Sequence, residues 1–287
     1  MRSRDLTPRA QQRLSTEPNG VAVGVLSVAA EVKSFGTDLR RYLKVMSALL
    51  IREFENRKHE PFLSALELLE PIVLLGTVIG FKYLMDSHSS PYGTSVVLFY
   101  ASGFYPKYLW IWTSRYMPQG TPRKRFPTEQ RLDYIFVHVV SNATDYIVLG
   151  LLGFGFIYLF LTPQALPFDF VPVFEALAAM LALAFGWGLI SMALTRLFRF
   201  WKFIAMGLNR SLIIISGALY VPDFMPPDFR YWISFNPMLH GVALFRTGIY
   251  PTFPKLVLDK TYLTHWVIAA ILIGLVLERV TRRSETV

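Results

Sequence analysis

Some ionisable residues lie well inside long apolar runs of this sequence, where a charged side chain is costly; the candidates are Lys107, His138, Asp145 and Arg210. A side chain of this kind usually contacts a polar path, an ion or a substrate, because lipid cannot solvate it. Lys107 and Arg210 could attract an anionic group, whereas Asp145 and Arg210 could form a pair that only holds two helices together. Both interpretations stay open.

The apolar run that contains Lys107 is also rich in aromatic side chains along its whole length. The candidates are Tyr100, Phe104, Tyr108 and Trp112. Aromatic faces stack on the apolar faces of sugar rings, so these residues could line a path along which a glycan slides. The alternative is the belt of Trp and Tyr that collects at membrane interfaces.

The composition indicates a membrane protein and excludes several kinds of chemistry. Of the 287 residues, 53% are hydrophobic and only 17% are charged, against about 25% charged in soluble domains. The absence of cysteine excludes disulfides, thiolate nucleophiles and cysteine-ligated metals. Phosphate-binding loops and hydrolase signatures are missing as well. The sequence therefore predicts a conduit without catalytic residues, cofactor or metal of its own.

We predict an all-α integral membrane fold with six spans, because six apolar segments approach the ~20 residues that a bilayer requires. The segments are 62–85, 94–114, 134–160, 173–195, 202–221 and 264–280. Lys and Arg are concentrated in alternate loops, whereas the loops 86–93 and 161–172 contain neither. This charge asymmetry places both termini in the cytoplasm.

The segments outside the spans have distinct patterns. Residues 1–36 are predicted to form a disordered cytoplasmic tail and 281–287 a short cytoplasmic tail. Residues 37–60 are predicted to form an amphipathic interface helix, since apolar side chains recur at three- and four-residue spacing with basic ones on the opposite face. The remaining residues, 61–280, form the six-span domain.

The connection 222–263 between the last two spans is too long for a plain turn. Asn236 and Pro237 are typical of a helix start, and Gly248 is predicted to end that helix in a left-handed conformation. We expect two short helices that dip back into the outer part of the membrane; the alternative is a pair of surface helices on the outer face. Asn236, His240 and Arg246 could line an exit or only cap and anchor these helices.

Five stretches occur in the order found in one known family. They are Arg52-Glu53 with Arg57, Glu70-Pro71, Leu132-Asp133, the run Arg210 to Pro226, and the run Asn236-Pro-Met-Leu-His240 to Arg246 and Tyr250-Pro251. Together they resemble the ABC-2 type permeases, and the capsular-polysaccharide exporters among them in particular. The resemblance covers roughly residues 40–280.

The resemblance implies a homodimer that forms the translocation path, with two separate ATPase subunits that bind ATP and Mg²⁺. It implies a lipid-linked acidic polysaccharide as substrate, a bacterial inner-membrane location, and periplasmic or outer-membrane export partners; it implies no nucleic-acid partner. The residues that it assigns to ATPase coupling are Glu53, Glu55, Arg123, Lys124, Arg125 and Asp133. Alternatively, these charges form a solvated face attracted to anionic lipid.

Three other functions compete with this one. An exporter of O-antigen or teichoic acid would have the same architecture. A proton-coupled carrier would use His138, Asp145 and Arg210 as a relay, although the sequence shows no repeated halves. A membrane-bound glycan-modifying enzyme would need an acid and a base on one membrane face, for which His240 and Asp228 are the only candidates.

Overall fold

The computed structural model describes residues 44–53, 55, 61–85, 89–115, 131–198 and 200–283. The predicted tail 1–36, parts of the predicted interface helix, the coupling residues Arg123, Lys124 and Arg125, and residues 284–287 lie outside these ranges. The described residues form helices, turns and no strand, which confirms the predicted all-α class. Two units are distinguished, Met1–Ile51 and Arg52–Val287. In the first, the described residues 44–51 are helical.

From residue 61 onward, the described residues of the second unit form eight α-helices. They are α1 (Pro61–Leu84), α2 (Val96–Arg115), α3 (Arg131–Phe160), α4 (Phe170–Leu197), α5 (Trp201–Ile215), α6 (Pro227–Ile233), α7 (Pro237–Ile249) and α8 (Lys260–Arg283). Short 3₁₀ turns at Pro163–Ala165 and Pro222–Phe224 precede α4 and α6.

Among the described residues, three helices are long and apolar enough to cross a membrane, which makes the chain an integral membrane protein. The segments are Leu132–Phe160 in α3, Phe170–Leu197 in α4 and Lys260–Thr281 in α8. They coincide with the predicted spans 134–160, 173–195 and 264–280. The other predicted spans fall on α1, α2 and α5, and the six-span topology stays a prediction.

The fifth predicted span is shorter than expected. Helix α5 ends at Ile215 instead of continuing to residue 221. Gly217 follows with φ of +71°, a left-handed conformation that glycine adopts readily and that terminates an α-helix.

Helix α4 forms the centre of the bundle. Half of its apolar segment is buried, against 17% for α3 and 22% for α8. It packs most extensively on α8, and also on α7 and α2. The backbones of α4 and α8 approach closely at Gly186. A Cβ atom added there would lie only 2.6 Å from the Ala270 carbonyl carbon. Small residues permit such close approach between membrane helices.

Helix α7 lies inside the bundle. Every residue from Met238 to Ile249 is buried, and the helix packs on α4, α2 and α8. This burial excludes the alternative of a surface helix for α7. Two short helices, α6 and α7, do occupy the connection 222–263 as expected; their depth in the membrane stays a prediction.

The two ends of α7 were predicted with different success. The start is correct: the Asn236 side-chain oxygen accepts a hydrogen bond from the Met238 amide at 3.1 Å, as an N-cap does. The end is wrong, because Gly248 lies inside the helix and Tyr250, with φ of −107°, follows it. A Cβ on Gly248 would lie 2.6 Å from the Asp169 carbonyl oxygen. Glycine is needed there for close packing on α4 instead of for a left-handed turn.

Candidate functional site

Helices α1, α2 and α5 enclose an open groove of about 600 Å³. Its walls are mainly apolar, with Tyr108 and Ile111 contributed by α2. Two charged residues lie in it, Glu70 from α1 and Arg210 from α5, and both side chains are exposed. The groove therefore combines an apolar wall with one charge of each sign.

Glu70 and Arg210 lie well inside their helices. Each is the tenth residue from the start of its helix, which corresponds to roughly 14 Å along the axis. In the predicted six-span topology, an exposed charge at this position of α1 or α5 would face water or another protein surface instead of lipid. In that topology the open side of the groove is a surface that lipid alone would not cover favourably.

Lys107 lies on α2 but does not open into this groove. It is fully buried, and its Nζ atom has no hydrogen-bond partner within the described ranges. The side-chain oxygen of Asn209, a groove residue on α5, is also buried without a partner there. Contact between Lys107 and a substrate would require α2 and its neighbours to rearrange, so its predicted role in the path stays a prediction.

The aromatic candidates of α2 are packed within the chain. Their exposed fractions are 7% for Tyr100, 3% for Phe104, 4% for Tyr108 and 5% for Trp112. Phe104 and Tyr108 border a smaller apolar cavity of about 120 Å³ between α1, α2 and α3, and Tyr108 also reaches the groove. Tyr108 is thus the candidate aromatic that the groove includes; the lining role of the others stays a prediction.

The residues of the proposed proton relay occupy different places. Arg210 lines the groove, whereas His138 and Asp145 lie on α3 and are not part of its lining. The His138 Nε2 atom is 3.0 Å from the Asn142 side-chain nitrogen, and its Nδ1 atom is 4.0 Å from the Glu53 carboxylate. The groove therefore does not bring the three relay residues together.

Of the predicted coupling residues, Glu53 and Asp133 lie near the start of α3, whereas Arg123, Lys124 and Arg125 lie outside the described ranges. The Arg52 guanidinium donates to the Tyr134 hydroxyl at 3.1 Å and lies 5.5 Å from the centre of its ring. Together with the approach of Glu53 to His138, this contact ties residues 52–53 to α3. Asp133 is buried, with 6% of its surface exposed, whereas Glu55 is exposed. Of these two carboxylates, Glu55 is the one that the described surface presents to a partner.

Arg246 on α7 is the most extensively hydrogen-bonded side chain of the outer hairpin. Its partners are Gly217, Ala218 and Tyr220 after α5, and Phe99 and Ser102 in α2. Four of these five contacts are to main-chain carbonyl oxygens, and no carboxylate contacts the guanidinium in the part of the chain that the structure describes. The guanidinium also lies 4.0 Å from the centre of the Phe99 ring. Arg246 therefore joins three elements instead of lining an open exit.

Asn236 and His240 have anchoring contacts as well. The Asn236 side-chain amide donates to the Ile215 carbonyl at 3.0 Å, so it connects the end of α5 to the start of α7. His240 Nδ1 accepts from the Asp259 amide at 3.1 Å, and Nε2 donates to the Ser234 carbonyl at 2.8 Å. These bonds hold α6, α7 and the start of α8 together. His240 is buried and, with both ring nitrogens bonded to the main chain, is not arranged as a catalytic base beside Asp228.

Glu70 also lies in the groove, although it was not among the ionisable candidates predicted from the sequence. It lies within the predicted span 62–85, so the criterion that selected Lys107 and Arg210 also applies to it. The sequence indicated Glu70 only as part of the Glu70-Pro71 motif of the family resemblance. The structure places it in the same groove as Arg210.

The comparison with known families agrees with this architecture. The sequence matches the family described as ABC-2 type transporter over residues 44–250. The match includes the groove helices α1, α2 and α5, as well as α7. No individual curated protein matches the sequence. Members of this family are membrane components of ABC transporters, which work with an ABC ATPase and are generally not catalytic themselves. The chain belongs to the ABC-2 type transporter family.

Proposed function

We propose that this chain is the permease subunit of an ATP-driven exporter that moves a lipid-linked acidic capsular polysaccharide across the inner membrane. It works as a homodimer of six-span subunits, with both termini in the cytoplasm. The groove between α1, α2 and α5 is the observation that carries this proposal. A single chain leaves the groove open along one side, at a depth where Glu70 and Arg210 cannot face lipid.

A second copy of the chain would close the groove. Two copies related by a twofold axis present the same surface to each other, so each groove would contribute one wall of a shared central path. The exposed charges would then face an aqueous interior instead of lipid. The apolar wall, which includes Tyr108 and Ile111, offers few strong hydrogen-bonding groups that would hold a moving polymer.

The charges favour an anionic substrate. Arg210 attracts a sugar carboxylate more strongly in a low-dielectric path than it would in water. The same argument applies to an exporter of teichoic acid or O-antigen, which is the second candidate function. A proton-coupled carrier is less favoured, because His138 and Asp145 do not join Arg210 in the groove.

Charge reversal at Glu55 is expected to weaken assembly with the ATPase. The full-length chain in lipid nanodiscs is mixed with the ABC ATPase encoded nearest to it, and ATP turnover of the complex is compared with that of the ATPase alone. We expect a stable complex with altered turnover, and at least fivefold weaker association for Glu55→Arg, since exposed charges at an interface control association.

The matched control is Asp228→Arg, an exposed acidic residue at the start of α6, which the predicted topology places on the opposite side of the membrane. It should assemble like the unmodified chain. If the ATPase does not bind, or if transport follows an ion gradient without ATP, the exporter proposal fails.

Charge reversal at Arg210 is expected to reduce export about tenfold without loss of ATPase binding. A carboxylate at this position repels an acidic polymer from the groove, whereas Arg210→Lys retains the charge and most of the activity. Export is measured as surface polysaccharide in cells that express each variant at equal level. Lys202→Glu, an exposed residue in the first turn of α5, is the control and should export normally. Full export by Arg210→Glu would show that the groove does not contact the polymer.

A further inference from the structure

A second cavity lies between α6 and the start of α8. Its volume is about 690 Å³, which is within the range of small-molecule sites. The lining contains three aromatic rings, Tyr231, Phe235 and Tyr262, and the polar residues Arg230 and Asp259. The predicted topology places this cavity on the outer face of the membrane.

The walls of this cavity are fixed by hydrogen bonds. The Tyr262 hydroxyl donates to the Phe235 carbonyl at 2.9 Å, and the Asp259 carboxylate accepts from the Tyr262 amide at 2.9 Å. The His240 ring lies 5.0 Å from the Tyr262 ring and is held on both nitrogens by main-chain atoms. Hydrogen bonds between α6, α7 and α8 therefore fix the shape of this cavity.

The charges in the cavity are mixed. Arg230 and Lys260 are basic, but Lys260 forms an ion pair with Glu175, and Asp259 contributes a carboxylate. A phosphate carries only negative charge, so the Asp259 carboxylate repels it. Hydroxyl groups both donate and accept, so the hydroxyl groups of a sugar ring can donate to Asp259 and accept from Arg230. The subsite therefore suits the hydroxyl groups of an acidic glycan instead of its carboxylates. The lining favours a ligand rich in hydroxyl groups.

The aromatic rings favour the same class of ligand. A pyranose ring has an apolar face that packs on an aromatic ring while its hydroxyl groups bind polar side chains at the edge. Tyr231 is 61% exposed, so its ring is available for such stacking. We propose that this cavity is a binding subsite for one or two sugar rings of the exported glycan as it leaves the path. This inference depends on the proposed export of a glycan.

The test measures binding of a defined probe to the full chain in nanodiscs of phosphatidylcholine, without the ATPase. The probe is a set of short oligosaccharides prepared by partial hydrolysis of the surface polysaccharide of the host bacterium. Tyr231→Ala is expected to weaken binding roughly tenfold. Phe229→Ala is the matched control: Phe229 is an exposed aromatic residue on α6, at 42%, that does not line the cavity, and its ring contacts Tyr220, which does not line the cavity either. It should bind as the unmodified chain does.

Asp259→Asn provides a second variant. The amide oxygen can still accept from Tyr262, so the start of α8 is retained, while the charge is lost. We expect about fivefold weaker binding of the oligosaccharide. Inorganic phosphate and a short-chain phosphatidylglycerol are tested in parallel, and neither should compete with the oligosaccharide.

Three results would overturn the inference: no oligosaccharide binding, binding unaffected by Tyr231→Ala, or tight binding of phosphate or phosphatidylglycerol that Asp259→Asn strengthens. The last result would identify an anionic headgroup site instead. Failure here is distinguishable from failure of the proposed function, because ATPase assembly is measured separately with Glu55. A chain that couples to the ATPase but binds no sugar in this cavity remains an exporter without this subsite.

Discussion

Arg246→Met is expected to lower the unfolding temperature of the purified chain by about 10 °C, with little folded protein recovered at 37 °C. Methionine fills similar space but donates no hydrogen bond. Several main-chain carbonyl oxygens would then be buried without this donor, and each costs about 1–3 kcal/mol. A total of about 3–5 kcal/mol corresponds to a shift of roughly this size in a chain of this length.

The size of the effect follows from what Arg246 joins. Its Nη1 atom donates to the Gly217 carbonyl at 2.7 Å, and its Nη2 atom donates to the Ala218 carbonyl at 2.8 Å. These oxygens belong to the turn after α5, where a regular helical bond is no longer available to them. A Cβ on Gly103 would lie 2.5 Å from both the Ala218 oxygen and Nη2. The close approach of α2 is therefore part of the same arrangement.

Arg246→Lys tests whether geometry or charge is responsible. Lysine keeps the charge but cannot reach all the carbonyl groups, since its donors project from one nitrogen. The Arg246→Lys chain should lose most of the stability that the Arg246→Met chain loses. Arg279→Gln, at an exposed position on α8, is the control and should change the unfolding temperature by less than about 2 °C. Unfolding is measured by intrinsic fluorescence in detergent. A fully stable Arg246→Met variant would contradict the anchoring role.

The positions of the helices were predictable because apolar periodicity and capping are local signals. Helices α3, α4 and α8 fall on their predicted segments, and Asn236 caps α7 as its residue type indicates. The partners of Arg246 have no such signal. They are main-chain oxygens 26 or more residues away in sequence, and every residue has such an oxygen. A buried arginine without a carboxylate partner cannot be paired by residue type alone.

The sequence also did not predict which side chains of α2 point toward the groove and which point into the core. Apolar and aromatic residues surround this helix, so no stripe distinguishes a path from a core. The structure turns Trp112 toward Tyr146 of α3, with ring centres 6.2 Å apart, and leaves Tyr108 at the groove. Neither the early end of α5 nor the position of Gly248 inside its helix was predictable. Both depend on packing against the neighbouring helices, which no local sequence signal shows.

Lys107→Met is expected to stabilise the chain and at the same time to reduce export at least tenfold. The Lys107 Nζ atom is buried without a hydrogen-bond partner within the described ranges. Placing a lysine at the centre of a membrane helix costs about 2.5–3.5 kcal/mol on insertion scales. Methionine has similar length and no charge, so the unfolding temperature should rise by about 5–10 °C.

The loss of export follows from the neighbours of Lys107. Tyr108 and Ile111, on the same part of α2, line the groove, so a modest movement of α2 relative to α5 would bring the flexible lysine stem to the path. Its ammonium would then attract the anionic sugar alongside Arg210.

Stability and export must be measured on the same variants to separate the two roles. Lys202→Met, at an exposed position on α5, should change neither quantity. A Lys107→Met chain that is stabilised and exports normally would assign Lys107 to the core and leave Arg210 as the cation of the groove. A destabilised chain would show that the ammonium has a partner in the folded state. Gain of stability with loss of export is the combination that we expect if Lys107 contacts the polymer when α2 moves.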